Sequence, residues 1–528
     1  MRKTLLSYDQ VPQLAKTDVA YAMGDPRLQA FYQYTPHLEA MQQAISDRQT
    51  IQYPRADLVK VLKTQYATLP PNVAVQANIE ALAEAGTFTV TTAHQPFLLL
   101  GPLYFVYKAL TTIRLAEETA RFTGKRIVPV FVLGSEDHDL EELNQVQLYS
   151  KKITWEPGET GPVGSMSLAA MPAVLETLKE ILGNSEAAEA LYARLARTYD
   201  GPKDFAAATQ ALLHEWLGKE GLVVLNMNSA VLKRHFIPVM RAELLEQRSF
   251  QLVNQTIEQL TTLGFKTQAA PREINLFYMQ PGLRERIVRE GDAFKVNNTK
   301  LVFSQTEILT ELEKHPEHFS PNVVLRPLFQ ETILPNLAYV GGGGELAYWL
   351  ERKKLFESFA CPFPMLVRRN SVLWLDTDSQ KKLAKFGYTP SEFFNDTETL
   401  VRQFIERNAT ADISLGPEVA QLRTVYNQLA SKASQVDPTL EKAIRAEEVK
   451  AIAGLEQWES RLIRAEKQKH EVVIQQMRAL KEKLFPGNGL QERSENCIPY
   501  LLKYGDDYLQ MLKDNLQPFD PGFVILEI

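Results

Sequence analysis

The eight residues "RIVPVFVL" at 126–133 have no polar position after the first, and that continuity constrains the fold more than any other stretch. A strand with one solvent face alternates polar and apolar residues. A strand without alternation is covered on both faces, as in a parallel sheet flanked by helices. The surroundings agree. "TFTVTTA" (87–93) is rich in β-formers and ends at His94. Beyond Gly101-Pro102, Leu103, Val106, Leu110 and Ile113 recur at helical spacing, with Lys108, Arg114, Glu117 and Glu118 elsewhere on the helix. "GLVVLNMN" (221–228) and "PMLVRRN" (364–370) supply further short strands. The alternation predicts an α/β fold built on an open, doubly wound parallel sheet.

Two stretches interrupt this rhythm. Residues 151–220 open on "EPGETGPVGS" and continue as Ala-Leu-Glu helices, and residues 250–320 contain "NLFYMQPGLRERIVREGDAFKVNN", whose pattern predicts a strand pair around a turn. Both are read as inserts in a core spanning residues 1–380. A helical region follows at 381–490, and residues 491–528 form a C-terminal helix and tail returning to the core. From Leu440 to Leu484 there is no proline and only Gly454. An unbroken helix there would extend ~65 Å at 1.5 Å per residue. Leu455, Trp458, Leu462, Ala465 and Val472 keep heptad-like spacing; Val473, Met477, Leu480 and Leu484 resume it after a one-residue shift. This stuttering coiled-coil pattern can close on its own chain or on a second copy, and a homodimer is the expectation.

Composition removes several function classes. With 58 basic against 64 acidic residues and a net charge of −6, no dense basic block marks a nucleic-acid partner. The start reaches Asp9 and Pro12 before an apolar signal core develops, and the run Phe97–Tyr107 is too short to span a bilayer. Two cysteines, Cys361 and Cys497, cannot make a disulfide framework and fit a reducing cytoplasm.

Polar clusters sit where strands should end, the place where open α/β sheets bind ligands. His94 and Gln95 precede Gly101-Pro102 and the next helix, whose free N–H groups favour an anion, although a lone histidine at such a place can equally serve to tie down its own loop. "SEDHD" (135–139) crowds Glu136, Asp137, His138 and Asp139 after the buried strand. Mutual repulsion there is expected to raise at least one carboxyl pKa, as acid-base work requires. The same groups could hold Mg²⁺ or a transition metal, or form an ordinary helix start capped by Ser135. "RPLFQETILPNLAYVGGGGELAYWLERKKLF" (326–356) has four glycines, Gly341, Gly342, Gly343 and Gly344, before a helix beginning near Glu345; flanking Arg326, Gln330 and Asn336 favour a binding loop. It is neither a P-loop nor a GxGxxG fingerprint. "LVRRNS" (366–371) puts Arg368 and Arg369 at a strand end, suited to carboxylate or phosphate; Arg284 and Arg286 form a weaker pair of the same kind.

In their order, "TTAHQPFLLLGPLYFVYK", "VPVFVLGSEDHDLEEL", "VLRPLFQETILPNLAYVGGGGELAYW" and "PFPMLVRRNS", before a coiled coil, resemble the BshC family, the cysteine-adding enzymes of bacillithiol biosynthesis. The resemblance spans nearly the whole chain. It implies a Rossmann-like core with two connecting-peptide inserts, a coiled coil used for dimerisation, and a ligase joining the carboxyl of L-cysteine to the amine of glucosaminyl-malate. It also implies kinship with nucleotidyltransferases and class I aminoacyl-tRNA synthetases, whose phosphate-binding histidine His94 would match, although this chain reads "HQPF" where those synthetases carry H-x-G-H. ATP or another nucleotide would then activate the cysteine carboxylate. His94, Gln95 and the helix end at Gly101 would steady phosphate charge, and the loop 341–344 would cradle nucleotide or sugar. Asp137, His138 or Asp139 would accept the amine proton, and Arg326, Arg368 and Arg369 would bind malate. The widely spaced cysteines do not make a thiolate zinc site. Two alternatives stand beside this: a metal-dependent amidase or hydrolase using the "SEDHD" acids with His94, and a non-catalytic coiled-coil scaffold.

Overall fold

The computed structural model describes residues 1–149, 151–409 and 414–528. Two compact units divide the chain: residues 3–373 with 492–524, and residues 374–491 with both extreme termini.

The larger unit is built on five parallel strands: β1 (Thr87–His94), β2 (Arg126–Leu133), β3 (Val223–Asn226), β4 (Asn336–Gly341) and β5 (Met365–Arg368). Their order is β5-β4-β1-β2-β3. Sequence order therefore reverses between β1 and β4, the switch point at which two diverging crossovers leave a crevice above the strand ends. Register runs from Thr87↔Arg126 to His94↔Leu133 between β1 and β2, and a bulge between Asn336 and Ala338 interrupts the pairing of β4 with β1. Both faces are covered. Val128, Val130 and Val132 enter one apolar core, while Phe88, Val90, Ile127 and Val367 enter another. That is why these strands need no polar alternation. β4 is the one core strand not foreseen as a strand, because its short apolar stretch merges into the glycine run.

The helix α1 (Leu103–Thr123) follows β1 as expected, and Gly124, with φ +67°, ends it. Lys108, however, faces inward and is fully buried rather than on a solvated flank. At the start of the first insert Lys151–Thr154 pairs with the preceding strand Gln145–Leu148, and helices Met171–Leu182, Glu186–Arg197 and Phe205–Leu217 follow. The last of these lies on the sheet, where the Gln210 amide donates to the Val224 carbonyl at 3.4 Å. The second insert holds the foreseen pair, Leu276–Gln280 with Leu283–Glu290, turning at Gly282. Three more short strands widen it into a five-stranded sheet whose described pairings are antiparallel.

The smaller unit is mostly helical. α3 (Gly416–Val436) and α4 (Pro438–Lys469) turn back on one another at Asp437, whose side chain caps α4. The Leu415 N–H meets Glu459, and Arg445 meets Asn427, so the pair forms an antiparallel hairpin within one chain. The unbroken helix expected to Leu484 stops at His470, and α5 (Glu471–Leu484) starts anew. The break at His470 lies just before the one-residue heptad slip between Val472 and Val473. Among the described residues no helix is long and apolar enough to cross a membrane.

Candidate active site

A cavity of about 840 Å³ opens over the carboxyl ends of the parallel strands, beside the switch point. His94, the last residue of β1, lines it. The Nδ1 atom lies 3.3 Å from the Gln95 carbonyl and Nε2 lies 3.3 Å from the Tyr104 hydroxyl, while Phe97 stacks on the ring at 4.8 Å. Burial, helped by the nearby Lys108 ammonium, lowers the imidazole pKa to about 3. His94 is therefore neutral, with Nδ1–H directed at the carbonyl and Nε2 accepting from Tyr104.

From β2 the chain enters the acidic segment. Ser135 caps no helix; its hydroxyl donates to Asn226 Oδ1 at 2.7 Å, and the next helix starts only at Leu140. The expected raised carboxyl is not found at Glu136 or Asp137. Burial pushes Asp137 upward, but the Arg326 and Arg284 guanidiniums, each 3.3 Å away, outweigh it and hold the carboxyl at about 2. Glu136 is likewise lowered: burial raises it, and Lys233, 2.5 Å away, overcomes that. Each acid faces a cation from a distant segment instead of a like charge. The Gln95 amide donates to Asp137 at 3.0 Å, joining the ends of β1 and β2. Arg284 also reaches His138 Nδ1 at 2.7 Å and lies over the Phe277 ring at 4.0 Å.

The glycine segment divides three ways. Gly341 ends β4, Gly342 precedes the helix, and Gly343 and Gly344 are already helical in α2 (Gly343–Leu350), two residues earlier than expected. The Glu345 carboxylate accepts the Gly342 N–H at 2.8 Å, the Tyr339 hydroxyl at 3.0 Å and the Lys108 ammonium at 2.8 Å. Burial opposes ionisation of Glu345, yet Lys108 keeps its pKa below the usual range. An acid thus already occupies this positive helix end.

Of the residues selected from sequence, His94, Gln95, Asp137, His138, Asp139, Arg326, Gln330, Gly342, Gly344, Glu345 and Arg369 line the cavity, as do Arg284 and Arg286. Glu136, Asn336, Gly341 and Gly343 lie beside it without lining it. Glu136 is held by Lys233 and Ser320, and Asn336 donates to Glu331 at 2.7 Å. Arg368 points elsewhere, forked on Asp18 at 2.8 and 2.9 Å and stacked over Tyr8. Arg369 pairs with Glu492 at 2.7 Å. The α1 terminus at Gly101 is not open to an anion: the Leu103 N–H donates to the Glu495 carbonyl and Asn496 donates to the Gly101 carbonyl. Gly101, with φ +57°, also leaves room for Phe97, whose ring carbon would lie 2.5 Å from a Cβ there. Neither Cys361 nor Cys497 lines the cavity.

Sequence reasoning missed several contributors. Tyr104 and Lys108 sit one helical turn apart on α1, a spacing visible in the sequence. Arg272 and Arg493 approach from remote segments, and no local pattern announces them. Arg369 and Arg493 both lie against the Tyr104 ring, at 5.4 and 6.0 Å. The wall is thus rich in guanidinium groups, suited to carboxylate or phosphate oxygens.

Comparison with known proteins agrees with this architecture. Residues 1–370 match the family model described as "Bacillithiol biosynthesis BshC, N-terminal Rossmann-like domain", and residues 372–528 match "Bacillithiol biosynthesis BshC, C-terminal coiled-coil domain". Among curated relatives, a protein of Flavobacterium johnsoniae is 39% identical over 99% of both chains. One of Flavobacterium psychrophilum is 37% identical over 99% of both. One of Christiangramia forsetii is 35% identical over 100% of this chain and 99% of its own. All three bear the name "Putative cysteine ligase BshC". With both domain models matched in order along a switch-point sheet and a helical unit, the chain belongs to the BshC family.

Proposed function

We propose that the protein is a cysteine ligase that forms the amide between the carboxyl of L-cysteine and the amine of glucosaminyl-malate, using a nucleotide such as ATP to activate the carboxyl. The observation that carries this is convergence: His94, Asp137 and Glu345 come from three separate strand ends and share one guanidinium-rich cavity. The nucleotide supplies the leaving group that a free carboxylate lacks. The amine then attacks the acyl carbon, the amide C–N bond forms, the bond to the leaving group breaks and the amine loses a proton.

The geometry distributes the roles differently from the sequence-based expectation. Asp137, held ionised between two guanidiniums, is a weak base and acts as the anchor that orients Arg326 and Arg284. Proton acceptance falls to His138 or Asp139, both solvent-exposed at the rim. His94 contributes a neutral imidazole fixed by Tyr104, not a cation. Arg326 remains for the malate carboxylates or a phosphate; Arg369 reaches the cavity wall but is paired with Glu492, and Arg368, committed to Asp18, supports the fold beside them. Among the described residues, His94 and the 136–139 groups do not bring three ligand atoms together, which supports the ligase reading over a metal-dependent hydrolase.

The test is mass-spectrometric detection of the amide from L-cysteine, glucosaminyl-malate and ATP with purified protein. Product that requires ATP and disappears in Asp137→Asn, with the circular dichroism spectrum retained, supports the proposal. Hydrolysis of the amide without ATP, or full activity of both Asp137→Asn and His94→Ala, overturns it.

A further inference from the structure

Away from the cavity, the second insert places two histidines and two glutamates together. His315 precedes a short 3₁₀ turn (Pro316–His318) that ends in His318. In such a turn residues three apart lie one above the other. The two imidazoles accordingly stack at 5.0 Å, inclined by 18°. Glu317 reaches His315 Nδ1 at 3.4 Å, and Glu311 reaches His318 Nδ1 at 2.7 Å. Potential ligand atoms of His315, Glu317 and His318 all lie within 4.8 Å of one another.

A second observation points to a ligand. Glu317 Oε2 is shut off from solvent and accepts no hydrogen bond. A buried carboxylate oxygen without a partner costs about 1–3 kcal/mol or more, so such atoms are normally satisfied. The buried Lys233 ammonium attracts the Glu317 carboxylate from nearby, but its hydrogen bonds and ion pair go to the Glu317 backbone carbonyl at 3.2 Å, to Asn228 and to Glu136, so Oε2 itself stays without a hydrogen-bond donor.

We propose that His315, Glu317 and His318 form a binding site for a divalent transition metal of the zinc type. Two imidazoles and a carboxylate are the donors such ions prefer, whereas Mg²⁺ and Ca²⁺ favour all-oxygen sets. Tetrahedral zinc ligands stand about 3.3 Å apart, so closure needs side-chain rotations of about 1 Å. His315 and Glu317 are exposed enough to make them. Glu311 stands behind His318, and Tyr278 donates to Glu311 at 2.8 Å, the backing that fixes the tautomer of a ligating histidine.

The site is a clamp. His318 leads directly into the strand Phe319–Pro321, and the Ser320 hydroxyl accepts from Arg284 at 3.1 Å and donates to Glu136 at 2.7 Å. Bound metal would pin the turn that aligns this strand, and through it the Arg284 wall of the cavity.

The test uses full-length protein stripped with EDTA and titrated with CoCl₂, followed by visible absorption, and with ZnCl₂ against a chromophoric chelator. One equivalent of Zn²⁺ per chain, a tetrahedral Co²⁺ spectrum and a rise in Tm with ZnCl₂ are expected. His315→Ala/His318→Ala should lower the affinity at least about 100-fold, and Glu317→Gln about 10-fold or more, with circular dichroism unchanged. No stoichiometric uptake by the parent protein overturns the proposal. So does uptake that is equal in a folded double variant, which would put the ion elsewhere.

Discussion

The Lys108 ammonium lies 2.8 Å from Glu345 Oε1 with its own side chain wholly buried, so a cation from the helix after β1 neutralises the acid that opens the helix after β4. Removing one partner of such a pair leaves an uncompensated charge in a desolvated place. Lys108→Met is expected to destabilise by about 3 kcal/mol, the low end for buried pairs because Glu345 keeps some solvent contact. Adding Glu345→Gln should restore part of the loss. A double-mutant cycle by urea denaturation checks this; additive effects would mean that the contact carries no coupling.

Stability should depend on pH through His94. Its folded pKa is about 3, against about 6.5 in the unfolded chain. Below pH 6.5 the unfolded chain takes up a proton that the folded chain refuses, so this contribution, complete above 6.5, is lost as pH falls towards 3. The slope is about 1.4 kcal/mol per pH unit. Glu331 acts with the opposite sign: burial raises its carboxyl to about 7, so its contribution is lost as pH rises from the unfolded value towards 7. Denaturation at about pH 5 and about pH 7.5 should show His94→Gln relieved of up to about 2 kcal/mol of acid sensitivity, with Glu331→Gln shifting the other way.

Gly343 is required by a neighbour, not by its backbone angles. A Cβ there would lie 2.0 Å from Asp18 Cγ, inside the buried pair with Arg368. Gly343→Ala should cost about 3–5 kcal/mol by displacing Asp18. At Gly344 a Cβ meets nothing within 4 Å, so Gly344→Ala should be neutral or slightly stabilising. Thermal unfolding of both separates steric need from loop flexibility.

The helical hairpin predicts an association. Leu440, Trp458 and Leu462 lie on one face of α4 and are exposed at 45%, 58% and 38%. An apolar row of this kind marks a contact surface, and a second copy of the chain is the partner we expect. Trp458→Glu with Leu462→Glu should convert a dimer to a monomer in light scattering. A monomeric parent protein would remove the expectation.

The parallel sheet was legible because apolar continuity over Ile127–Leu133 and helical spacing from Leu103 to Ile113 are local signals. The cavity was legible in outline, since strand ends rich in His, Asp and Gly are where such sheets bind. The charge states were not. Whether Asp137 meets another acid or a guanidinium depends on Arg284 and Arg326, which arrive from segments far along the chain. The same holds for Arg368: the sequence shows an arginine at a strand end, while Asp18, which consumes it, is hundreds of residues away. The break at His470 was half visible as a heptad slip, but no glycine or proline marked it.

The closing of the α1 terminus by Glu495 and Asn496 also sets an order of manufacture. Residues 492–524 finish a unit that begins near residue 3, with the whole helical hairpin translated in between. While the ribosome is still making that hairpin, α1 has exposed amides and Arg369 lacks Glu492. The larger unit therefore stays incomplete, and open to chaperones or proteases, until residues 492–524 have left the exit tunnel.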